Sequence, residues 1–144
     1  METGGLPGAW EHFHHQADIG IRGIGPTREE AFAQGGVALT AVITAPENVH
    51  PKKGVELSLS APEDAFLFLD FINELIFLVA TEGMLFSRFE LRLEQGRLQG
   101  HAWGEPIDLQ RHEPAVEVKA ATLNALEVFQ REDKMWVAQC VVDV

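Results

Sequence analysis

Several residues able to bind a metal ion or transfer a proton stand together near the start of the sequence. The segment HFHHQADIGIRG (12–23) places His12, His14 and His15 shortly before Asp18, at the beginning of an apolar stretch. Polar groups at such a point must be solvated, paired or coordinated to an ion. Asp18 could therefore accept backbone N–H bonds in a turn, or it could be an oxygen ligand for a metal ion.

A second group of carboxylates stands at the end of the sequence. Asp143 follows the apolar segment WVAQCVV, and the α-carboxylate of Val144 is ionised at neutral pH. Two such groups usually fray into solvent, but a strand held in a sheet would keep them in place. If the fold brings Asp18 beside them, three oxygen donors repel one another unless a divalent cation lies between them. Spacing alone does not show that Asp18 and Asp143 meet.

The remaining polar positions carry weaker signals. Lys119, in the segment EVKA, either is a solvated surface residue or interacts with the carboxylates or with an anionic group. The segment GEPIDLQRHE (104–113) has the composition of a turn, and we expect His101 and His112 to be ordinary surface or packed histidines. Cys140 lies in an apolar segment, so we expect it in the core and not at a nucleophilic site.

The composition limits the classes of function. The 144 residues are enough for one domain, and 22 acidic against 11 basic side chains give a net charge of −11. Binding to a phosphate backbone requires clustered Lys and Arg, so we expect no direct binding of nucleic acid. An acidic protein of this size would instead meet cations or a basic surface on a partner, unless the charge only provides solubility. The single cysteine predicts a reducing cytoplasm, and we expect neither a signal peptide nor a membrane span.

Two long helices are expected. TREEAFAQGGVALTAVIT (27–44) opens with a capping box between Thr27 and Glu30, and its apolar residues recur on one face. Its two central glycines cost about 1 kcal/mol each, so we expect this helix to pack closely against a sheet. A second helix begins at Pro62 and stops at Gly83. Because its polar stripe is narrow, it is either the central core helix or presents a second apolar face to a partner.

The rest of the sequence favours β-strands separated by turns. Alternating apolar and polar residues predict strands at 10–15, 17–25, 54–61, 85–94, 97–104, 115–129 and 134–144. We therefore expect one α+β domain over residues 10–144, with two main helices packed on a mostly antiparallel sheet. Residues 1–9 are rich in glycine and proline, and we expect them to be disordered.

Six segments together resemble the archease family. They are HHQADIGIRG, NELIFL, TEG, GEPIDLQRHE, EVKAAT and WVAQCVVDV, and they occur in the family's order from about Trp10 to Val144. Gln16 stands where the family usually has threonine, next to the aspartate motif but not at the aspartate itself. The resemblance implies a strand–helix–strand–strand module that contains an insertion.

The resemblance also implies a function. Archeases act as protein cofactors of the RtcB-type tRNA-splicing ligase, which joins RNA ends that carry a 3′-phosphate or a 2′,3′-cyclic phosphate. That ligase uses GTP and manganese and forms a guanylylated histidine. An archease accelerates this guanylylation and sustains multiple turnovers. The resemblance therefore implies a cytoplasmic activator that is not itself an enzyme, with the ligase as its partner.

The site residues that the resemblance implies coincide with the two carboxylate groups. The family's metal ligands correspond to Asp18, Asp143 and the terminus at Val144, and its important lysine corresponds to Lys119. His15 is added as a residue expected to orient a ligand. Oxygen ligands favour Ca²⁺, Mg²⁺ or Mn²⁺ over Zn²⁺. Two alternatives stay open: a small metal-dependent hydrolase that uses the two aspartates, and a structural interaction domain whose carboxylates only cap strands.

Overall fold

The computed structural model describes residues 8–144, in which three helices and eight strands are present. Of the segment 1–9 that was expected to be disordered, residues 1–7 lie outside the described residues, and Ala9 already belongs to the first strand. A single 3₁₀ turn, Pro46–Asn48, follows the first helix. In chain order the elements are β1 (Ala9–His15), β2 (Asp18–Gly25), α1 (Arg28–Ile43), β3 (Lys53–Ser60), α2 (Asp64–Glu82), β4 (Met84–Glu94), β5 (Arg97–Pro106), α3 (Leu109–His112), β6 (Ala120–Ala121), β7 (Glu127–Gln130) and β8 (Trp136–Asp143).

The strands form two sheets. In the first sheet β1 pairs with β2 and β2 with β8, while β6 and β7 both pair with the other edge of β8. In the second sheet β5 lies between β3 and β4. Every pair is antiparallel, which confirms the predicted α+β class with two main helices and antiparallel strands. The division into two sheets was not predicted, because partners far apart in the chain leave no local signal.

Helix α1 packs against β2 through a close backbone contact. One half of the predicted capping box is present at its N-terminus, since the Glu30 N–H donates to Thr27 Oγ1 at 3.1 Å. A Cβ added at Gly23 of β2 would lie 2.0 Å from the Ala31 carbonyl oxygen and 2.2 Å from the Gly35 nitrogen. The expected close packing of the glycine-containing helix on a sheet is therefore confirmed.

Helix α2 is the most apolar element and ends where the sequence predicted. Gly83 is left-handed, with a φ of 62°, and its N–H donates to the Val79 carbonyl at 3.2 Å. Seven of its side chains are buried in the core, whereas Phe66 and Phe77 are 41% and 58% exposed. The helix is thus a core helix, as the first alternative predicted, and it also exposes apolar groups to solvent. A partner for these groups stays a prediction. Among residues 8–144, no helix has both the length and the apolar character needed to span a membrane.

The structure differs from the sequence predictions at two places. No turn forms at 104–108: Gly104 and Glu105 belong to β5, which is held by its pairing with two neighbouring strands, and Asp108 instead caps α3. The predicted strand 115–129 is reduced to β6 and β7. The chain turns between them, with Ala125 at a positive φ of 54°, because both short strands pair with the same edge of β8.

Candidate functional site

The β1–β2 hairpin places His15 directly opposite Asp18. Only Gln16 and Ala17 separate the two strands, and Gln16 has a positive φ of 53°. Directly opposite residues of an antiparallel pair project from the same face of the sheet. His15 and Asp18 therefore share a face at the tip of this hairpin.

The register between β2 and β8 brings the second predicted carboxylate to the first. Ile19 pairs with Val142 at the end of this ladder, so one further step in the same register places Asp18 opposite Asp143. Opposite residues of this kind have Cβ atoms about 4.5–5.5 Å apart. The fold thus brings together two carboxylates from opposite ends of the sequence.

Lys119 approaches Asp143 from the other side of β8. Ala120 pairs with Asp143, and the backbone N–H of Lys119 donates to the Asp143 carbonyl oxygen at 2.8 Å. Ala120 thus stands directly opposite Asp143, and Lys119 is its neighbour in the chain. One end of the first sheet therefore carries His15, Asp18 and Asp143 in line across three strands, with Lys119 bonded to Asp143 through the backbone. We call these four residues the terminal row.

The charged side chains of the terminal row have no partner within residues 8–144. Asp18 and Asp143 are half-buried and Lys119 is exposed, and none of the three side chains makes a hydrogen bond or an ion pair there. Two other aspartates behave differently, since Asp108 and Asp133 each accept hydrogen bonds from backbone N–H groups of their own turns. Asp18 makes no such bond within residues 8–144, so the turn-capping role considered for it has no hydrogen bond to support it there.

His15 contributes a buried nitrogen to the same row. Its Nδ1 atom is shielded from solvent and has no hydrogen-bond partner among the residues that the structure describes. No other buried side-chain nitrogen or oxygen in that part of the chain lacks a partner. A buried polar atom of this kind is destabilising unless a partner is supplied. The terminal row therefore contains an unsatisfied nitrogen beside two unpaired carboxylates.

The donor set of the terminal row fits a divalent cation that prefers oxygen ligands. Asp18 and Asp143 each offer a carboxylate, and Val144, half-buried against the core, would add its α-carboxylate next to Asp143. Within residues 8–144, no three His, Cys, Asp or Glu side chains are grouped so that they could hold a metal ion. The predicted ligand set consequently depends on the main-chain carboxylate as its third donor.

A buried ion-pair cluster around Glu105 was missed at the sequence level. Glu105 is only 5% exposed, and its Oε1 accepts from Arg111 Nη2 at 2.8 Å. Its Oε2 accepts from His112 Nε2 at 3.0 Å and from the backbone N–H of His50 at 2.8 Å. Because His112 Nδ1 accepts from the Asp108 N–H at 2.8 Å, the imidazole proton lies on Nε2. Both oxygens and both ring nitrogens have partners, which indicates a structural role and confirms His112 as a packed histidine.

Two clefts of the described structure lie away from the terminal row. One, of about 750 Å³, is lined by acidic residues of α1, β3 and β4, and another, of about 330 Å³, lies at the C-terminal end of α1. Asp18 and Asp143 line neither. Cys140 is buried as predicted, and burial raises the pKa of its thiol to about 12. A hydrolase that uses the two aspartates would therefore have to act outside both of these clefts.

This fold has counterparts among known proteins. The model of the Archease protein family (MTH1598/TM1083) matches residues 10–144. The chain belongs to the archease family. The family resemblance drawn from the six sequence segments is thereby confirmed.

Individual archeases match over nearly their full length. Protein archease of Pyrococcus furiosus is 39% identical over 139 residues, which cover 94% of this chain and 98% of the relative. Protein archease of Methanopyrus kandleri is 38% identical, with 94% and 99% covered. The solution structure of Methanobacterium thermoautotrophicum protein 1598 superposes with a TM-score of 0.81 at 29% identity, covering 94% of this chain and 99% of that one.

A more distant structure supports the fold alone. The crystal structure of an archease from Thermotoga maritima (TM1083), described as a possible chaperone, has a TM-score of 0.60 at 18% identity. The match covers 93% of this chain and 96% of the Thermotoga chain. The two-sheet arrangement is thus shared with a relative whose sequence has diverged widely.

Proposed function

We propose that this archease is an accessory protein that activates an RtcB-type RNA ligase in the cytoplasm and is not itself an enzyme. The ligase would be the one that joins RNA ends carrying a 3′-phosphate or a 2′,3′-cyclic phosphate. The observation that supports the proposal is the terminal row, in which Asp18 and Asp143 lie one step beyond the β2–β8 ladder and the backbone of Lys119 bonds to Asp143. The description of the Thermotoga archease as a possible chaperone agrees with a role exerted on another protein.

A divalent cation held at the terminal row is the second part of the proposal. Asp18, Asp143 and the α-carboxylate of Val144 would hold it, and Ca²⁺, Mg²⁺ and Mn²⁺ suit such ligands. When bound, the cation would supply positive charge that can neutralise phosphate oxygens. The strands limit the movement of the two aspartates, because each follows directly on the paired ladder between β2 and β8, which ends at Ile19 and Val142. Lys119, exposed beside Asp143, is free to meet a phosphate or a carboxylate of the ligase.

The acidic surface favours a protein partner with a basic face. A net charge of −11 opposes binding of RNA itself but favours a ligase whose surface is basic because it binds RNA. The accessory protein would then approach the ligase with its carboxylates and bound cation directed at the site that binds GTP phosphates. Its contribution is orientation and charge neutralisation.

The test is single-turnover guanylylation of the cognate RtcB-type ligase with GTP and Mn²⁺. We expect wild type to stimulate the reaction and Asp18→Asn, Asp143→Asn and Lys119→Gln each to reduce the stimulation at least about tenfold, since each removes a charge proposed to act at the ligase. Glu56→Gln is the matched control, because Glu56 is an exposed carboxylate on β3, in the second sheet. It should stimulate as wild type does.

Three other outcomes would change the interpretation. Stimulation that survives all three substitutions would keep the partner and discard the terminal row. No stimulation by wild type would overturn the proposed function. A structural domain whose aspartates cap strands predicts that Asp18→Asn loses about 1–3 kcal/mol of stability and leaves ligase binding intact. Because Asp18 makes no hydrogen bond within residues 8–144, we expect no such loss in urea unfolding.

A further inference from the structure

His15 lies on the Asp18 face of the first sheet, whereas the neighbouring histidines do not. Phe13 pairs with Gly20, and its ring fills the space where a Gly20 side chain would stand, which places the odd-numbered residues of β1 on the Asp18 face. His12 projects to the other face, where its Nε2 lies 2.8 Å from the Ala38 carbonyl oxygen of α1. His15 is therefore the histidine of this segment that lies on the same face as the Asp18 carboxylate and directly opposite it.

His15, whose Nδ1 atom lacks a hydrogen-bond partner, lies directly opposite a charged residue of β2. Asp18 is its directly opposite residue, and the Asp18 carboxylate makes no hydrogen bond within the described residues. A carboxylate has two oxygens, so one can bind a cation while the other accepts a hydrogen bond. A nitrogen that needs a partner and an oxygen that can serve as one thus lie on the same face of adjacent strands.

We propose that His15 is a positioning residue for the metal site, and that its Nδ1–H donates to the Asp18 carboxylate when Asp18 holds a cation. This inference rests on the proposed metal binding of the terminal row. Rotation of the Asp18 side chain toward His15 would supply the missing partner and fix the direction of the second oxygen. Because Nδ1 is shielded from solvent, a hydrated cation cannot reach it directly. His15 therefore acts through Asp18 and is not itself a ligand.

The test is the affinity of the purified protein for Mn²⁺ and for Ca²⁺, measured by isothermal titration calorimetry. We expect His15→Ala to weaken both affinities about 10–100-fold, the usual effect of losing a group that orients a ligand. His15→Asn should recover most of the affinity, because its amide N–H occupies a position similar to that of Nδ1–H. His14→Ala is the matched control, since His14 is the adjacent histidine on the other face, and it should bind as wild type does.

A spectroscopic measurement on the wild type avoids any effect of substitution on folding. With ¹⁵N-labelled histidine, we expect Ca²⁺ to shift the Nδ1 resonance of His15 to that of a hydrogen-bonded N–H, and to leave His14 unchanged. A His15 signal that does not respond, while Ca²⁺ binds, would overturn the inference.

The calorimetric outcomes separate this inference from the function on which it rests. Unchanged affinity in His15→Ala, together with loss of binding in Asp18→Asn, would overturn the role of His15 and leave the metal site intact. Equal weakening by His15→Ala and His15→Asn would mean that His15 only packs, which also overturns it. If the wild type binds neither metal, the metal site and the positioning role fall together, while ligase activation stays testable by guanylylation.

Discussion

At the scale of single residues, Glu105 shows how a buried charge is stabilised by contacts from several directions. The Arg111 guanidinium, followed by hydrogen bonds from the His50 backbone and the His112 ring, lowers the pKa of Glu105 from 4.5 to about 2, although burial opposes the shift. The folded-state pKa thus lies below the unfolded one. Glu105 therefore contributes stability that is fully present above about pH 4.5 and is lost as the pH falls toward 2.

We expect Glu105→Gln to lower the free energy of unfolding by about 2 kcal/mol at pH 7, because it removes hydrogen bonds to a charged group. Below pH 4.5 the wild type loses this contribution as Glu105 is protonated, so the difference between the two proteins should narrow toward pH 2.5. Urea unfolding at half-unit pH steps measures this difference.

The matched control is Glu56→Gln, an exposed glutamate of β3. The free energy of unfolding of Glu56→Gln should differ little from that of wild type, and the difference should not narrow between pH 4.5 and 2.5. If the free energy of unfolding of Glu105→Gln stays below that of wild type by the same amount from pH 7 to pH 2.5, the ion-pair cluster does not lower the pKa of the Glu105 carboxylate.

Residue types alone pointed to the carboxylates Asp18 and Asp143 but not to the ion-pair cluster around Glu105. Asp18 precedes an apolar segment and Asp143 follows one, which made both carboxylates candidates. Whether they lie close together depends on the strand register, which only the folded sheet supplies. Glu105 and His112 have no metal-ligand spacing, and the segment was predicted to be a turn. Their contact forms because β5 continues to Pro106 and Asp108 then starts α3. That continuation depends on pairing with strands elsewhere in the chain.

At the scale of elements, local signals predicted helices well and strand pairing poorly. The Thr27 cap and the Gly83 stop are formed by neighbouring residues, so the sequence contains them directly. The strands β6 and β7 instead share one edge of β8, and nothing within 115–129 marks where pairing is interrupted. Close packing of α1 against a sheet was expected from the glycines of α1, whereas its contact with a glycine of β2 became evident only in the structure.

The α1–β2 contact yields a prediction at this scale. Gly23→Ala should lower stability by about 3 kcal/mol or more, because its Cβ would overlap the backbone of α1 and rigid backbone atoms cannot move aside. Gly83→Ala is the informative control. No atom lies within 4 Å of a Cβ there, so only its left-handed conformation is penalised, by about 1–2 kcal/mol. Thermal and urea unfolding should show that Gly23→Ala is much less stable than Gly83→Ala. An equal loss of stability in the two variants would contradict the close packing of α1 on β2.

At the scale of the whole molecule, charge and exposed apolar groups give the surface two different means of binding a protein. The net charge is −11, and α2 contains four acidic and no basic residues. The same helix exposes Phe66 and Phe77. Charge acts at long range and is screened by salt, whereas apolar contact acts only after the surfaces meet. The salt dependence of the association rate can therefore distinguish whether charge or apolar contact governs the encounter with the proposed ligase.

If the proposed partner is correct, we expect the association rate constant of this archease with an RtcB-type ligase to fall about tenfold between 50 and 300 mM NaCl, because salt screens the attraction of an acidic protein to a basic surface. The dissociation rate should change much less, since it reflects short-range contacts. Stopped-flow fluorescence with a labelled ligase measures both rates, and circular dichroism at each salt concentration controls for folding. An association rate that is constant or rises with salt would show that charge does not steer the encounter. The exposed phenylalanines of α2 would then be the first positions to replace, and Phe66→Ser and Phe77→Ser should slow complex formation in that case.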